Sequence, residues 1–155
     1  MKIYIGTDHA GFELKEKLKV YISDLGYEVI DKGPFSYDAN DDYPDLIRPV
    51  AEAVATDHGS MGVILGGSGQ GEAMCANRVP GARAGVYYGG AKKQTDISGN
   101  VIDMVTSMRE HNNANIISIG ARFMDESEVK DAVKQFLRAP FPDNVRHARR
   151  INKLG

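Results

Sequence analysis

Residues 66–72 read Gly-Gly-Ser-Gly-Gln-Gly-Glu. Glycine at 66, 67, 69 and 71 suits a loop that cradles an anion on bare backbone N–H groups at a helix start. The loop lacks the Gly-Lys-Ser/Thr ending of a phosphate loop. It also misses the dinucleotide fingerprint, because Gly67 and Gly69 fit but Glu72 stands where the third glycine belongs. A tight turn accounts for one or two of the glycines, not for all of them. An amide nest with an acid at its mouth suits proton transfer from carbon: the carboxylate takes the proton, and the amides hold the enediolate oxygen that results. Glu72 equally suits the first turn of a helix, where it would complement the helix dipole.

Other residue types add to this chemistry. Asp8 and His9 follow the first apolar run, and Asp8 also fits a plain helix N-cap. His111 precedes Asn-Asn-Ala-Asn, and a lone histidine is as readily structural as catalytic. Arg146 and Arg150 stand one helical turn apart, with His147 between them. Such a pair lines a solvated face or grips a phosphate through charge-assisted hydrogen bonds. Arg122 follows the last apolar run. Together these supply a base, an oxyanion nest, acid–base groups and an anion clamp, all without a cofactor.

The elements that must hold these residues alternate. Strands are expected at Lys2–Thr7, Tyr27–Gly33, 62–67, 83–88 and 115–120. Between them, Ala10 to Leu25 recur at helical spacing until Gly26, and a second helix covers about 45–57, starting late or kinking at Pro49. A short helix covers 71–77. Residues 34–45 form a loop, and 89–100 are irregular or partly helical. Val101, Ile102, Val105 and Met108 mark a helical face, as do Val129 to Leu137 and, last, Val145 to Leu154. Strand–helix alternation implies an α/β fold with a parallel sheet, and strands that are apolar throughout imply helices on both faces. Such sheets bind ligands at the carboxyl ends of their strands, which directs attention to 7–11, 66–72 and the stretch around 109–115.

Composition bounds the reading. A chain of 155 residues fits one domain with one sizeable core. A net charge of −2 calls for neither nucleic acid nor an anionic membrane surface. No apolar run reaches the length of a membrane span. The N-terminal stretch meets charge too soon for a secretory signal. A lone cysteine, Cys75, fits a reducing compartment and a cytoplasmic location.

The motifs Thr-Asp-His-Ala-Gly (7–11), Asp-Tyr-Pro (42–44), 66–72, 76–84, His-Asn-Asn-Ala-Asn (111–115), Ile-Gly-Ala-Arg (119–122) and Arg-His-Ala-Arg-Arg (146–150) resemble, in order and over essentially the whole chain, the ribose-5-phosphate isomerase B family. That family includes the galactose-6-phosphate isomerase subunits. The resemblance implies a Rossmann-like three-layer α/β/α sandwich on a five-stranded parallel sheet. It implies a homodimer, possibly paired into a tetramer, and an aldose–ketose isomerisation of a sugar phosphate with no metal or other cofactor. It puts Glu72 in the role of the base between C1 and C2. Ser68 and the backbone of Gly67, Gly69, Gln70 and Gly71 would hold the enediolate. Asp8 and His111 would open the sugar ring, and Asn112 would contact hydroxyls. His9, Arg122, Arg146 and Arg150 would hold the phosphate. One branch of the family uses a cysteine base at the position of Gly66, which this chain lacks. The resemblance also implies a site assembled across the dimer, with the C-terminal helix at about 143–154 expected to pack on the partner. Between Ala84 and His111 the chain is longer than the family's usual segment. The expected substrate pair is ribose 5-phosphate and ribulose 5-phosphate, with galactose, allose or tetrose phosphates as alternatives. A non-catalytic sugar-phosphate-binding subunit and a nucleotide-binding domain are the readings from other classes.

Overall fold

The computed structural model describes residues 1–90, 93–142 and 144–154. Its strands are β1 (Lys2–Thr7), β2 (Glu28–Asp31), β3 (Met61–Gly66), β4 (Ala84–Tyr87), β5 (Gln94–Thr95), β6 (Val101–Ile102) and β7 (Ile116–Gly120). Its helices are α1 (Phe12–Asp24), α2 (Tyr43–Thr56), α3 (Gln70–Ala76), α4 (Met104–Asn112), α5 (Glu126–Arg138) and α6 (Val145–Ile151), with a 3-10 turn at His9–Gly11.

Five strands form one parallel sheet in the order β2-β1-β3-β7-β4. Side chains alternate across it. Ile3, Ile5, Val63, Leu65, Ile117 and Ile119 pack against α1, α4 and α5 on one face. Tyr4, Ile64 and Ile116 pack against α2 and the α3 region on the other. The result is a three-layer α/β/α sandwich of Rossmann type, as expected. Chain direction across the sheet reverses between β1 and β3. Their carboxyl ends, which carry Asp8 and the glycine loop, therefore open at the topological switch point where such folds bind ligands.

Local chemistry explains most boundaries. Gly26, at φ +90°, terminates the first helix where expected. Asp125 and Glu128 form a reciprocal capping box that starts α5. α2 starts at Tyr43, earlier than expected, and runs through Pro49. Pro44 sits in its first turn, where a missing N–H costs nothing, and Pro49 removes one donor inside the helix.

The largest correction lies before α4. Val101 and Ile102 do not belong to its helical face. They form β6, paired antiparallel with β5 through Gln94↔Ile102 and Thr95↔Val101. Gly99 takes φ +86° and the Asp96 carboxylate accepts the Ser98 and Asn100 N–H groups, so the intervening residues close a hairpin. Asp103 then caps α4 by accepting from the Thr106 N–H at 2.9 Å. The stretch 89–100, expected to be irregular or partly helical, therefore contains a hairpin arm. Ala91 and Lys92 lie outside the described residues. The last helix is shorter than the expected 143–154, and Asp143 and Gly155 also lie outside the described residues. No helix among the described residues is long and apolar enough to cross a membrane.

Candidate active site

The glycine loop leaves β3 and enters α3 with Glu72 in the first helical turn. Gly69 is the N-cap at φ +75°, a left-handed conformation that favours glycine. The Ser118 hydroxyl in β7 donates to the Gly69 carbonyl at 2.6 Å and anchors the loop from below. The Gln70 N–H reaches the Ser68 hydroxyl at 3.3 Å, which folds the loop tip into a turn. The Tyr43 ring lies against Gly71, 2.9 Å from where a Cβ would stand, so any side chain there would have to displace the ring.

Glu72 is not an exposed dipole-complementing residue. It is 5% exposed. Its carboxyl group folds back over Gly66, where any Cβ would fall inside it. Burial raises its pKa, the N–H of residue 72 opposes that rise, and the charge of Asp8 adds to it. A carboxylate shifted upwards is a stronger base, and it stands at the mouth of the nest. A side chain at position 66 and the Glu72 carboxyl would compete for one volume, so the glycine at 66 is what admits the glutamate.

Asp8 is buried and caps the 3-10 turn by accepting the Ala10 N–H at 3.0 Å, as the plain N-cap reading expects. Its second oxygen is 3.9 Å from His9 Nδ1. His9 pairs with Asp41, Nδ1 to Oδ1 at 2.7 Å. That hydrogen bond raises the His9 pKa; burial opposes it and the charges of Asp8 and Asp41 support it. His9 is therefore biased towards the cation an anionic substrate needs. The Arg122 guanidinium lies beside Gly67, 3.4 Å from where a Cβ would stand. Backbone bonds from Ala121 to Gly66 (2.9 Å) and Arg122 to Gly67 (3.1 Å) tie the end of β7 to the loop. Ligand atoms of Asp8, His9 and Asp41 lie within 4.8 Å of one another. Three such groups could hold an ion, but the imidazole and one Asp41 oxygen already satisfy each other.

The structure thus gathers Asp8, His9, Gly67, Ser68, Gly69, Gln70, Gly71, Glu72 and Arg122 at one place. It does not bring His111, Asn112, Arg146 and Arg150 there. The stretch around 109–115 leads into the amino end of β7, so its grouping with the carboxyl ends is corrected. Gly62 pairs with Ile116 and Gly66 with Gly120. His111 and the loop after Gly66 therefore lie towards opposite edges of the sheet, about five residues or ~16 Å of strand apart. His111 sits in the last turn of α4, stacked on His147 of α6 at 4.5 Å and 13°, with Ser107 Oγ at 3.3 Å from its Nδ1. Arg146, His147 and Arg150 line, with His111, a cavity of about 390 Å³. A second cavity of about 530 Å³ lies beside β4, between Pro80, Arg83, Met108 and Leu154; of the candidate residues it touches Asn112 alone.

Residues to which the sequence reading assigns no role are Asp41, Tyr43, Ser118 and, as His111's partner, His147. Asp41 sits in an acidic loop that reads as solvated. Ser118 is a single polar residue in an apolar strand, a signal that a buried hydroxyl has a backbone partner to hold.

Comparison with known proteins identifies the family of this fold. The family model described as Ribose/Galactose Isomerase matches residues 3–154. The chain is 40% identical to ribose-5-phosphate isomerase B of Mycolicibacterium paratuberculosis over 99% of its own length and 89% of that protein's. It superposes on ribose-5-phosphate isomerase B of Clostridium thermocellum with a TM-score of 0.85 and 38% identity, over 100% and 95% of the two chains. The enzyme of Mycoplasma genitalium, crystallised with bound ribulose 5-phosphate, superposes with a TM-score of 0.84 and 33% identity, over 99% and 93%. The chain belongs to the Ribose/Galactose Isomerase family.

Proposed function

We propose that this protein is a cytoplasmic, single-domain aldose–ketose isomerase of sugar phosphates, with ribose 5-phosphate and ribulose 5-phosphate as its substrate pair. The observation that carries the reading is the buried Glu72 carboxyl, folded over Gly66 at the mouth of the amide nest. The relatives' names support the substrate.

In the open aldose, Glu72 removes the C2 proton. The C2–H electron pair forms the C1=C2 bond of an enediolate, whose oxygen rests on the N–H groups of residues 67–71 and the Ser68 hydroxyl. Returning the proton to C1, with a proton passing from O2 to O1, yields the ketose. No electron leaves the substrate, so the step needs no redox cofactor, and the amide nest supplies the stabilisation that the enediolate charge requires. His9 and Arg122 hold the phosphate from this chain.

The remaining groups reach the site in a homodimer. His111 and Asn112 act on the ring and hydroxyls, with Asp8 aiding ring opening, and Arg146 and Arg150 complete the phosphate clamp from the partner subunit. Two facts support this: these residues lie at the other edge of the sheet, and α6 carries no buried residue of its own. α6 is then the element that packs on the partner.

The test is ketose formation from four-, five- and six-carbon aldose phosphates by purified protein in chelator. Turnover of ribose 5-phosphate with its C2 proton exchanging with solvent is expected. No turnover of any sugar phosphate would leave a binding subunit. His111→Ala should lose much more activity on ribose 5-phosphate than on a tetrose 4-phosphate, which cannot close its ring through the same hydroxyl; equal losses would remove the ring-opening role.

A further inference from the structure

The β5–β6 hairpin has no part in the chemistry above, yet it is built with care. Asp96 N–H donates to the Asn100 carbonyl at 2.8 Å, and Gly99 N–H to the Asp96 carbonyl at 3.1 Å. The Asp96 carboxylate accepts the N–H groups of Ser98 and Asn100 at 2.8 and 2.9 Å. The tip is therefore a closed, self-bonded turn rather than a slack loop. Ile97 at its apex is 81% exposed and contributes nothing to the core.

The tip stands over chemistry. Thr95, Asp96, Ser98 and Asn100 line the same 390 Å³ cavity as His111, Arg146 and Arg150. A molecule held by those arginines and reached by His111 must share that cavity with the hairpin. The phosphate end of the substrate is the end that moves when the carbon chain lengthens, because C1 and C2 are fixed at Glu72. A rigid wall beside the arginines thus sets how far the phosphate can lie from the reacting carbons.

We propose that the hairpin tip, residues 96–100, is a length gauge for the sugar phosphate, favouring five-carbon over six-carbon aldose phosphates. The proposal rests on the isomerase reading and on Arg146 and Arg150 holding the phosphate. Asp96 adds a charge term: as a carboxylate among the residues lining the cavity, it repels a phosphate pushed towards the turn.

The hairpin register supplies a clean test. Thr95 pairs with Val101, so replacing residues 96–100 by Asn-Gly closes the same two strands with a two-residue turn. Parent and shortened enzyme are assayed on ribose 5-phosphate and on allose 6-phosphate, with thermal melts to confirm folding. One carbon unit in a fitted site is commonly discriminated by about 10–200-fold. The ratio of kcat/KM for the five- over the six-carbon substrate should fall by about tenfold or more in the shortened enzyme. Ser98→Trp narrows the same cavity without touching the turn's backbone, and should raise the ratio. A parent inactive on both sugars defeats the isomerase reading itself. An active parent whose ratio is unchanged in both variants, or changed in the opposite sense, overturns the gauge alone.

Discussion

The two halves of the candidate site are built differently. The half at the carboxyl edge is made of short backbone segments locked to the sheet. Glu72 is buried, Ser118 holds Gly69, and Asp8 and His9 are each tied by a hydrogen bond. The half on α4 and α6 is displayed on the surface. α6 has seven residues and none is buried, and its main side-chain anchor is a stack of two imidazoles. Proton abstraction demands sub-ångström placement in a dry environment, which a sheet edge provides. Gripping a phosphate demands charge and reach, which long arginine side chains on a short helix provide. The difference fits the proposal that the first half is completed within one chain and the second is donated by a partner subunit.

The comparison breaks most visibly at Glu72. Glu72→Gln keeps shape and hydrogen-bonding capacity but removes the basic oxygen. kcat for the isomerisation should fall by about 10²–10⁴-fold, the usual contribution of a positioned general base. KM should change little, because the phosphate is held elsewhere. Near-parental turnover would move the base to another group, and Asp8, already beside it, would be tested next.

The displayed half should respond in the other parameter. Arg146→Ala or Arg150→Ala removes a charge-assisted contact made equally in ground and transition states. KM should rise by about 10–150-fold, corresponding to roughly 1.5–3 kcal/mol. Melting temperature should be unaffected, since neither side chain supports the core. Unchanged KM in both variants would return these residues to a solvated face.

Whether the halves meet across two chains can be read from mixed subunits. Glu72→Gln and His111→Ala each spoil a different half. Random reassociation of equal amounts makes half the dimers mixed, and each mixed dimer holds one intact site of two. Activity should then recover to about a quarter of the parental value. Mixtures no better than the separate variants would mean that both halves serve one chain.

The same contrast governs what could be read from the sequence. The parallel sheet was legible because β1, β3 and β7 are apolar on both faces. The nest and Glu72 were legible because their chemistry is local to seven residues. His111 was legible as a residue but misplaced, because proximity to a strand in sequence does not say which end of the strand it meets. Val101 and Ile102 fell into helical register with Val105 and Met108 by coincidence, while the hairpin depends on Asp96, Gly99 and the Asp103 cap together. Asp41 was hidden for another reason: its partner, His9, is distant in sequence, and only folding turns a solvated loop acid into a histidine's counter-ion.

That counter-ion gives the smallest effect and the one most specific to the carboxyl-edge half. The Asp41 hydrogen bond raises the His9 pKa, so His9 stays protonated at pH values where a free imidazole has lost its proton. The stability this contact contributes is fully present below the unfolded value near 6.5 and is lost as pH rises through the higher folded value. Asp41→Asn keeps a hydrogen-bond acceptor but removes the charge, and the His9 pKa should drop. At pH values well below the ordinary imidazole range His9 is protonated in both proteins, and their KM values for the sugar phosphate should differ least. Between the two pKa values only the parent keeps the cation, and KM of the variant should exceed that of the parent by about two- to fivefold, the scale of a partly exposed charge contact. Above the parent's own pKa the two should converge again. Taking the ratio of the proteins at each pH cancels the titration of the substrate phosphate, which is common to both. A ratio that is flat across the whole range would mean that His9 does not touch the phosphate as a cation, and the anion clamp would then rest on Arg122 and the arginines of α6.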